Sequence, residues 1–233
     1  MSSKKALDLY AKVEDLLGVS EVAPRLYGFY FDILKDIEFN SLLDIGCGKG
    51  EFIEVLSNIG INAVGIDKSP LMVKEAKKRG VVAIEAEVKD IKEQFDIATA
   101  TFDMVNYLAP TEFESFFSDV AKVVKKGGYF IFDINSLYGI SEMAVGNFIA
   151  QDKNRFVAIE SFYEDRVYKS YFTLFENNNN CYKKSQAKIL QYYYEDSDFK
   201  KLKDWRVVKK IPINLYKMQE DDKIIYILKK DKK

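Results

Sequence analysis

Residues Leu42-Leu43-Asp44-Ile45-Gly46-Cys47-Gly48-Lys49-Gly50-Glu51 constrain the fold more than any other segment. A short apolar run enters three alternate glycines, and a helical pattern follows. Glycine adopts left-handed backbone conformations without steric cost and lets a ligand approach the main chain. Strand–loop–helix junctions of this kind form the first turn of doubly wound α/β folds. The dinucleotide fingerprint is G-x-G-x-x-G. This loop is G-x-G-x-G, with Glu51 where the third dinucleotide glycine would stand. Asp44 adds an acid inside the strand end, which repels a pyrophosphate and suits a ligand carrying ammonium and hydroxyl donors. The loop therefore argues against a dinucleotide and for a nucleoside with an amino-acid tail.

A second marker follows in Gly65-Ile66-Asp67-Lys68-Ser69. A carboxylate at the end of the second strand can accept hydrogen bonds from both ribose hydroxyls. The plainer reading of Asp67 is a helix N-cap. Around these markers, strand and helix signals alternate. Strands are expected over 41–45, 63–66, 81–84, 95–100 and 129–134. Helices are expected over 51–58, 70–79 and 111–124, the last closed by Lys125-Lys126-Gly127-Gly128. Short apolar strands alternating with helices predict βαβ units and a parallel sheet.

After Ser136 the texture changes. Segments 155–163, 166–175 and 182–192 are rich in aromatic and β-branched residues and read as an antiparallel meander. Asn177–Asn180 reads as a hairpin connection. Residues 198–203 look helical, and 205–211 and 223–228 look like the last strands. The first forty residues look mainly helical, broken near Pro24.

The fold class expected is therefore α/β: a Rossmann-like seven-stranded, mostly parallel sheet flanked by helices, with an antiparallel β meander inserted after strand 5. One domain is expected over residues 1–233. It comprises a helical cap (1–40), a ligand-binding core (41–136), the meander as insert or lid (137–194) and the last helix and strands of the core (195–233).

Composition narrows the chemistry. Histidine is absent from the 233 residues, which removes the commonest general base and the commonest metal ligand. No metal is expected. Two cysteines, Cys47 and Cys181, make no disulfide framework. The charged N-terminus lacks a signal-peptide apolar stretch, and no run approaches a membrane span. A cytoplasmic protein is expected. The net charge of −1 gives no global attraction for polyanions, although the stretch beyond Lys200 is lysine-rich. That stretch reads as a solvated face or, alternatively, as a nucleic-acid groove.

Taken together, the segment 41–136 resembles the class I S-adenosylmethionine-dependent methyltransferases. It is most similar to the small-molecule branch that includes glycine and sugar-amine N-methyltransferases. A weaker likeness continues through Tyr194-Glu195-Asp196, Phe199-Lys200, Leu202 and Trp205-Arg206-Val207-Val208. The resemblance implies S-adenosyl-L-methionine as cofactor and S-adenosyl-L-homocysteine as product. It implies that Asp44, Gly46, Cys47, Gly48 and Gly50 lie under the methionine part, with Asp44 near the ammonium group. Asp67 and its neighbour Lys68 fall at the ribose position, and Met72 at an apolar position against the adenine. Glu87 falls where the family has an aspartate meeting the adenine amino group, with Asp90 as the other candidate. Val88 would supply a backbone N–H to the ring. Thr101 and Phe102 fall beside the sulfonium end. Asn106, Tyr107 and Asn135 fall at substrate-facing positions, Tyr107 being equally readable as ordinary packing. Asp133 reads as structural.

Methyl transfer is an in-line displacement that demands positioning above all. A neutral amine needs only orientation, whereas a hydroxyl usually wants a base. Without histidine, N-methylation of a small molecule is favoured, and no catalytic base is assigned. The meander is expected either to cover the strand ends as a lid or to form an outer sheet or dimer surface. Tyr163, Tyr168 and Tyr171 could bind a cationic amine through their rings. The helix before the core, with Arg25, Tyr27 and Tyr30, is the other candidate cover, and Tyr27 a candidate substrate contact. Expected partners are a small-molecule substrate and, at most, a second copy of the chain, so monomer and homodimer both stay open. The alternatives are a nucleic-acid methyltransferase, a non-catalytic binder of the same nucleoside and a nicotinamide oxidoreductase.

Overall fold

The computed structural model describes residues 4–179 and 181–231. Asn180, the last residue of the expected hairpin connection, lies outside the described residues. Asn179 adopts the left-handed conformation (φ 59°) that such a turn requires.

The chain opens with α1 (Lys4–Ala11), a short 3-10 turn (Glu14–Leu16) and α2 (Val19–Leu34). The helical stretch breaks before Gly18, which starts α2 at φ +73°, and not near Pro24. Pro24 sits in the second turn of α2 on an exposed face, where it removes only its own N–H from the ladder.

The core follows as β1 (Leu42–Ile45), α3 (Glu51–Asn58), β2 (Ala63–Asp67), α4 (Pro70–Lys78), β3 (Ala83–Glu85), β4 (Phe95–Ala100), α5 (Pro110–Val123) and β5 (Val124–Asn135). Helix starts obey their local chemistry. The Ser69 hydroxyl accepts the Met72 N–H, and Pro70 stands at the first position of α4. Glu51 and Glu54 place negative charge in the first turn of α3. The expected loop between α5 and β5 is absent. Lys125 to Gly128 belong to β5, and a register shift opposite Phe95 to Ile97 absorbs the extra residues. Gly127 at φ +78° permits this bulge.

Four further strands, β6 (Gly146–Gln151), β7 (Arg155–Glu164), β8 (Val167–Asn178) and β9 (Cys181–Tyr192), form a separate antiparallel sheet. The sequence reading anticipates three of them. β6 is hard to read because neighbouring Phe148 and Ile149 are both exposed, which leaves no period-2 pattern. The chain ends with α6 (Asp196–Phe199), β10 (Trp205–Ile213) and β11 (Lys223–Lys230).

The main sheet has the order β10-β11-β5-β4-β1-β2-β3. β1 to β5 are parallel, and β11 runs antiparallel between β5 and β10. Alternation along β5 sends Phe130 and Phe132 to one apolar layer and Ile131 to the other. The first layer gathers Phe113, Phe117, Phe199, Trp205 and Tyr226. The second gathers Leu26, Tyr30, Phe52, Ile53 and Leu56. The smaller sheet buries Val157, Ile159, Phe172, Leu174 and Ile189 against Ala6, Leu9 and Val13 of the N-terminal segment. Among the described residues no helix is long and apolar enough to cross a membrane.

Candidate active site

The chain leaves β1 toward β2 on one side and later returns through β4 on the other. Crevices at such a switch point, outside the carboxyl ends of the strands, are where open α/β sheets bind ligands. A cavity of about 430 Å³ opens there. Its floor is the glycine loop between β1 and α3. Gly46 N–H and Cys47 N–H both donate to the Ile66 carbonyl, at 2.8 and 3.0 Å. This pins the loop to β2. Gly46 and Gly48 are both left-handed, at φ +74° and +54°. A Cβ on Gly46 would stand 2.7 Å from Met104 Cγ, whereas one on Gly48 would meet nothing within 4 Å. The loop thus presents bare backbone to open space at Gly48, as close approach of a ligand requires.

Asp67 lines the cavity at the end of β2. Its carboxylate accepts the Gly48 N–H at 3.0 Å and the Ser69 N–H at 2.8 Å, one on each oxygen. Each oxygen keeps lone-pair capacity for a further donor. Burial raises its pKa against these hydrogen bonds. Beyond it, Met72, Ala86, Val88, Leu108 and Phe116 give an apolar slot.

Asp44 is fully buried and neighbours Thr99 in the β1–β4 register. The Thr99 hydroxyl donates to its Oδ1 at 2.8 Å. Its Oδ2 has no partner among the described residues. Burial lifts the carboxyl to about 7 from 3.8, and the Asp67 charge adds to the shift. A buried carboxyl that keeps its proton in the fold and loses it in the unfolded chain favours folding at low pH. Stability from this group is full below 3.8 and is lost as pH rises through about 7. Thermal melts between pH 4 and 8 are therefore expected to decline less steeply for Asp44→Asn than for the wild type. Identical slopes would remove Asp44 as the titrating group.

These features compare with known proteins as follows. Residues 43–132 match the family model described as a methyltransferase domain. Over these residues the core is similar to a methyltransferase domain. Uncharacterized protein MJ1252 of Methanocaldococcus jannaschii is 37% identical over 111 residues, covering 46% of this chain and 41% of that protein. The chain spans less than half the length of the curated relatives it matches, which include putative methyltransferases and ubiquinone biosynthesis O-methyltransferases. In three dimensions the chain is similar to an S-adenosylmethionine-dependent methyltransferase from Clostridium acetobutylicum. That likeness has a TM-score of 0.78 at 24% identity and covers 96% of this chain and 99% of that one. The sugar N-methyltransferase KedS8 from Streptoalloteichus has a TM-score of 0.69 at 15% identity, covering 97% and 93%.

The cavity gathers most of the residues anticipated from sequence. Gly46, Cys47, Gly48, Asp67, Lys68, Met72, Glu87, Val88, Thr101, Phe102, Tyr27 and Tyr107 all line the cavity. Asp44 and Gly50 support the loop from behind, and a Cβ on Gly50 would stand 2.7 Å from Val81 Cγ2. Between the two candidates after β3, Glu87 faces the cavity. Asp90 instead accepts the Glu87 N–H at 3.2 Å and caps a short 3-10 turn. Glu87 pairs with Lys89 at 2.7 Å and Lys68 at 2.9 Å, which hold its carboxyl below the usual range.

Three anticipated substrate contacts lie elsewhere. Asn106 is fully buried; its amide donates to the Tyr192 carbonyl at 2.7 Å and its Oδ1 accepts the Asn135 N–H at 2.9 Å. The Asn135 side chain accepts from Lys223 at 3.1 Å. β9 and β11 pack against these side chains and turn them into fasteners. Tyr163 lines a shallow depression with Phe162, Lys169 and Tyr171, because α1 occupies the inner face of its sheet. Arg25 also stays outside the cavity and donates to the Leu215 carbonyl at 3.0 Å.

Within the helical cap expected over residues 1–40, sequence reasoning did not name the wall that α1 and the turn after it provide. Leu7, Tyr10, Glu14 and Val19 line the cavity, and no described residue of the second sheet does. α1 lies between that sheet and the strand ends. The Ser69 hydroxyl donates to Asp8 at 2.6 Å, and Lys49 pairs with Glu14 at 2.7 Å, tying the cover to the floor. On the other side Lys12 pairs with Glu176 and Arg155 with Asp15. The helical spacing of Ala6 and Leu9 marks a buried face of α1 without naming its partner.

Proposed function

We propose that this chain transfers the methyl group of S-adenosylmethionine to a nitrogen of a small-molecule acceptor. The observation that carries the reading is the convergence of the pinned glycine loop, Asp67 and the apolar slot on one cavity. The donor set fits the cofactor. Asp67 has acceptor capacity for two ribose hydroxyls. The slot of Met72, Val88, Leu108 and Phe116 matches a purine, and Asp44, two residues before Gly46, keeps a buried Oδ2 without a partner among the described residues. When bound, the cofactor supplies an already activated methyl group on its sulfonium sulfur.

The chain's own residues then position the acceptor and exclude water. Tyr10 and Tyr107 wall the end of the cavity nearest the cover. Burial raises both hydroxyls far above their usual range, so they stay protonated and act as donors or as ring faces. Each lysine of the cavity is paired with a glutamate: Lys49 with Glu14, Lys68 and Lys89 with Glu87. That balance favours a neutral or cationic acceptor over an anionic one. Burial raises the Glu14 carboxyl, which makes it a more willing proton acceptor than a free glutamate. The name of the neighbour KedS8, a sugar N-methyltransferase, supports nitrogen as the acceptor atom.

Calorimetric titration of S-adenosylmethionine, with NAD alongside, tests the cofactor. Micromolar binding to the wild type is expected. Asp67→Ala should weaken it about 100-fold, since two hydrogen bonds to a charged acceptor are lost. A folded wild type that ignores S-adenosylmethionine overturns the reading, and NAD binding in its place makes the loop a dinucleotide site. Transfer of labelled methyl groups to a panel of small amines and matched alcohols then tests nitrogen against oxygen.

A further inference from the structure

The polar cluster behind the cavity is built around a buried lysine that no sequence motif announces. Lys223, first residue of β11, is 1% exposed. Its ammonium donates to Asp103 and pairs with Asp133 at 3.2 Å. Asp133 is fully buried and also accepts the Tyr30 hydroxyl at 2.9 Å and the Asp103 N–H at 2.9 Å. The other oxygen of Asp103 accepts from Gln191 of β9. Three elements, β5, β9 and β11, thus converge on Asp103 in the loop after β4, and α2 joins them through the bond of Tyr30 to Asp133.

That loop is strained. Phe102 and Asp103 are consecutive non-glycine residues at φ 54° and 50°. Left-handed conformations in such residues persist only where their surroundings impose them. The residues on either side of Asp103 reach the cavity. The Phe102 ring stands edge-on to Tyr27 at 6.0 Å, and Met104 fills the space that Gly46 leaves open. The turn therefore fixes one wall of the cavity and the position of the glycine loop together.

We propose that Lys223 is a positioning residue for the cofactor pocket, acting through Asp103 on the Phe102–Met104 turn. This rests on the reading of the cavity as an S-adenosylmethionine site. Lys223 compensates two carboxylates that would otherwise repel each other and pull the turn apart. Without it, Phe102 and Met104 lose their fixed places against Tyr27 and Gly46. The other titratable groups facing the cluster are Tyr30 from α2, Tyr10 from α1, Tyr107 after β4, Tyr168 from β8, and Tyr216 and Asp222 before β11.

The test is calorimetric titration of S-adenosylhomocysteine into the wild type, Lys223→Met and Lys223→Met/Asp103→Asn, at pH 6 and pH 8, with melting curves for each. Lys223→Met should bind about tenfold or more weakly, as misplaced walls do. Its deficit relative to the wild type should be larger at pH 8 than at pH 6, because burial raises the Asp103 carboxyl and the repulsion that Lys223 compensates grows with its ionisation. The double variant should recover part of the affinity because it removes one of the uncompensated charges. A folded Lys223→Met with wild-type affinity at both pH values overturns the proposal, as does a deficit independent of pH that the second substitution deepens. If Lys223→Met does not fold, Asp103→Asn decides, since it keeps the Lys223–Asp133 pair. Weaker binding by about threefold or more with an unchanged melting temperature supports the proposal, and wild-type affinity overturns it. A wild type that binds no S-adenosylhomocysteine refutes the cofactor reading itself.

Discussion

Gly46→Val is expected to abolish measurable S-adenosylmethionine binding while leaving a folded protein. Gly46 is left-handed at φ +74°, and a Cβ there would stand 2.7 Å from Met104 Cγ. A β-branched residue in that conformation costs about 1–3 kcal/mol in strain alone. Either Met104 must swing out of its place in the cavity wall or the loop must leave the Ile66 carbonyl, and both disturb the floor of the cavity. Gly60→Val is the control. Gly60 is also left-handed, at φ +81°, but a Cβ there would meet nothing within 4 Å and the residue does not line the cavity. Both variants should melt earlier than the wild type, and only Gly46→Val should lose the ligand. Equal ligand affinities for the two would show that the floor tolerates displacement, contrary to the pinned geometry.

The largest loss of stability is expected at Phe117. Its ring is 1% exposed and stands 4.7 Å from Phe113, 5.6 Å from Phe132 and 5.7 Å from Phe130. The Phe117 carbonyl also accepts the Trp205 indole N–H at 2.9 Å, tying α5 to β10. Truncating a phenylalanine in such a setting costs about 3–5 kcal/mol, because the rigid neighbours cannot close the void. Urea denaturation of Phe117→Ala should show a lower midpoint with an unchanged slope, corresponding to that loss in unfolding free energy. Phe162→Ala, on the outer face of β7 at 50% exposure, should stay within about 0.5 kcal/mol of the wild type. A loss below about 1 kcal/mol at Phe117 would mean that the aromatic layer repacks, which its interlocking ring contacts argue against.

What could be read from sequence was local. The junction 42–51 is strand, turn and helix because apolar residues, glycines and acids follow one another within ten positions. Asp67, Met72, Glu87 and Val88 could be placed because each lies within a few residues of a strand end, and parallel strands bring those ends to one side. The same logic misplaced Asn106 and Asn135. Their positions at strand ends were right, but β9 and β11 return from far along the chain to claim their hydrogen bonds. Tyr163 failed for the opposite reason. Its strand was legible, but the face that α1 would cover was not.

The sequence by itself determined the glycine loop at the switch point, the acid at the end of β2 and the alternation that makes β1 to β5 parallel. These depend on propensity and periodicity within single supersecondary units. Only the tertiary structure decided which helix closes the cavity, that Tyr10 and Glu14 belong to it, and that Lys223 sits between Asp103 and Asp133. Those contacts join residues ninety or more positions apart, or turn on which of two apolar faces meets which partner. Chain periodicity fixes the faces of each element, and only the packing of the whole molecule pairs them.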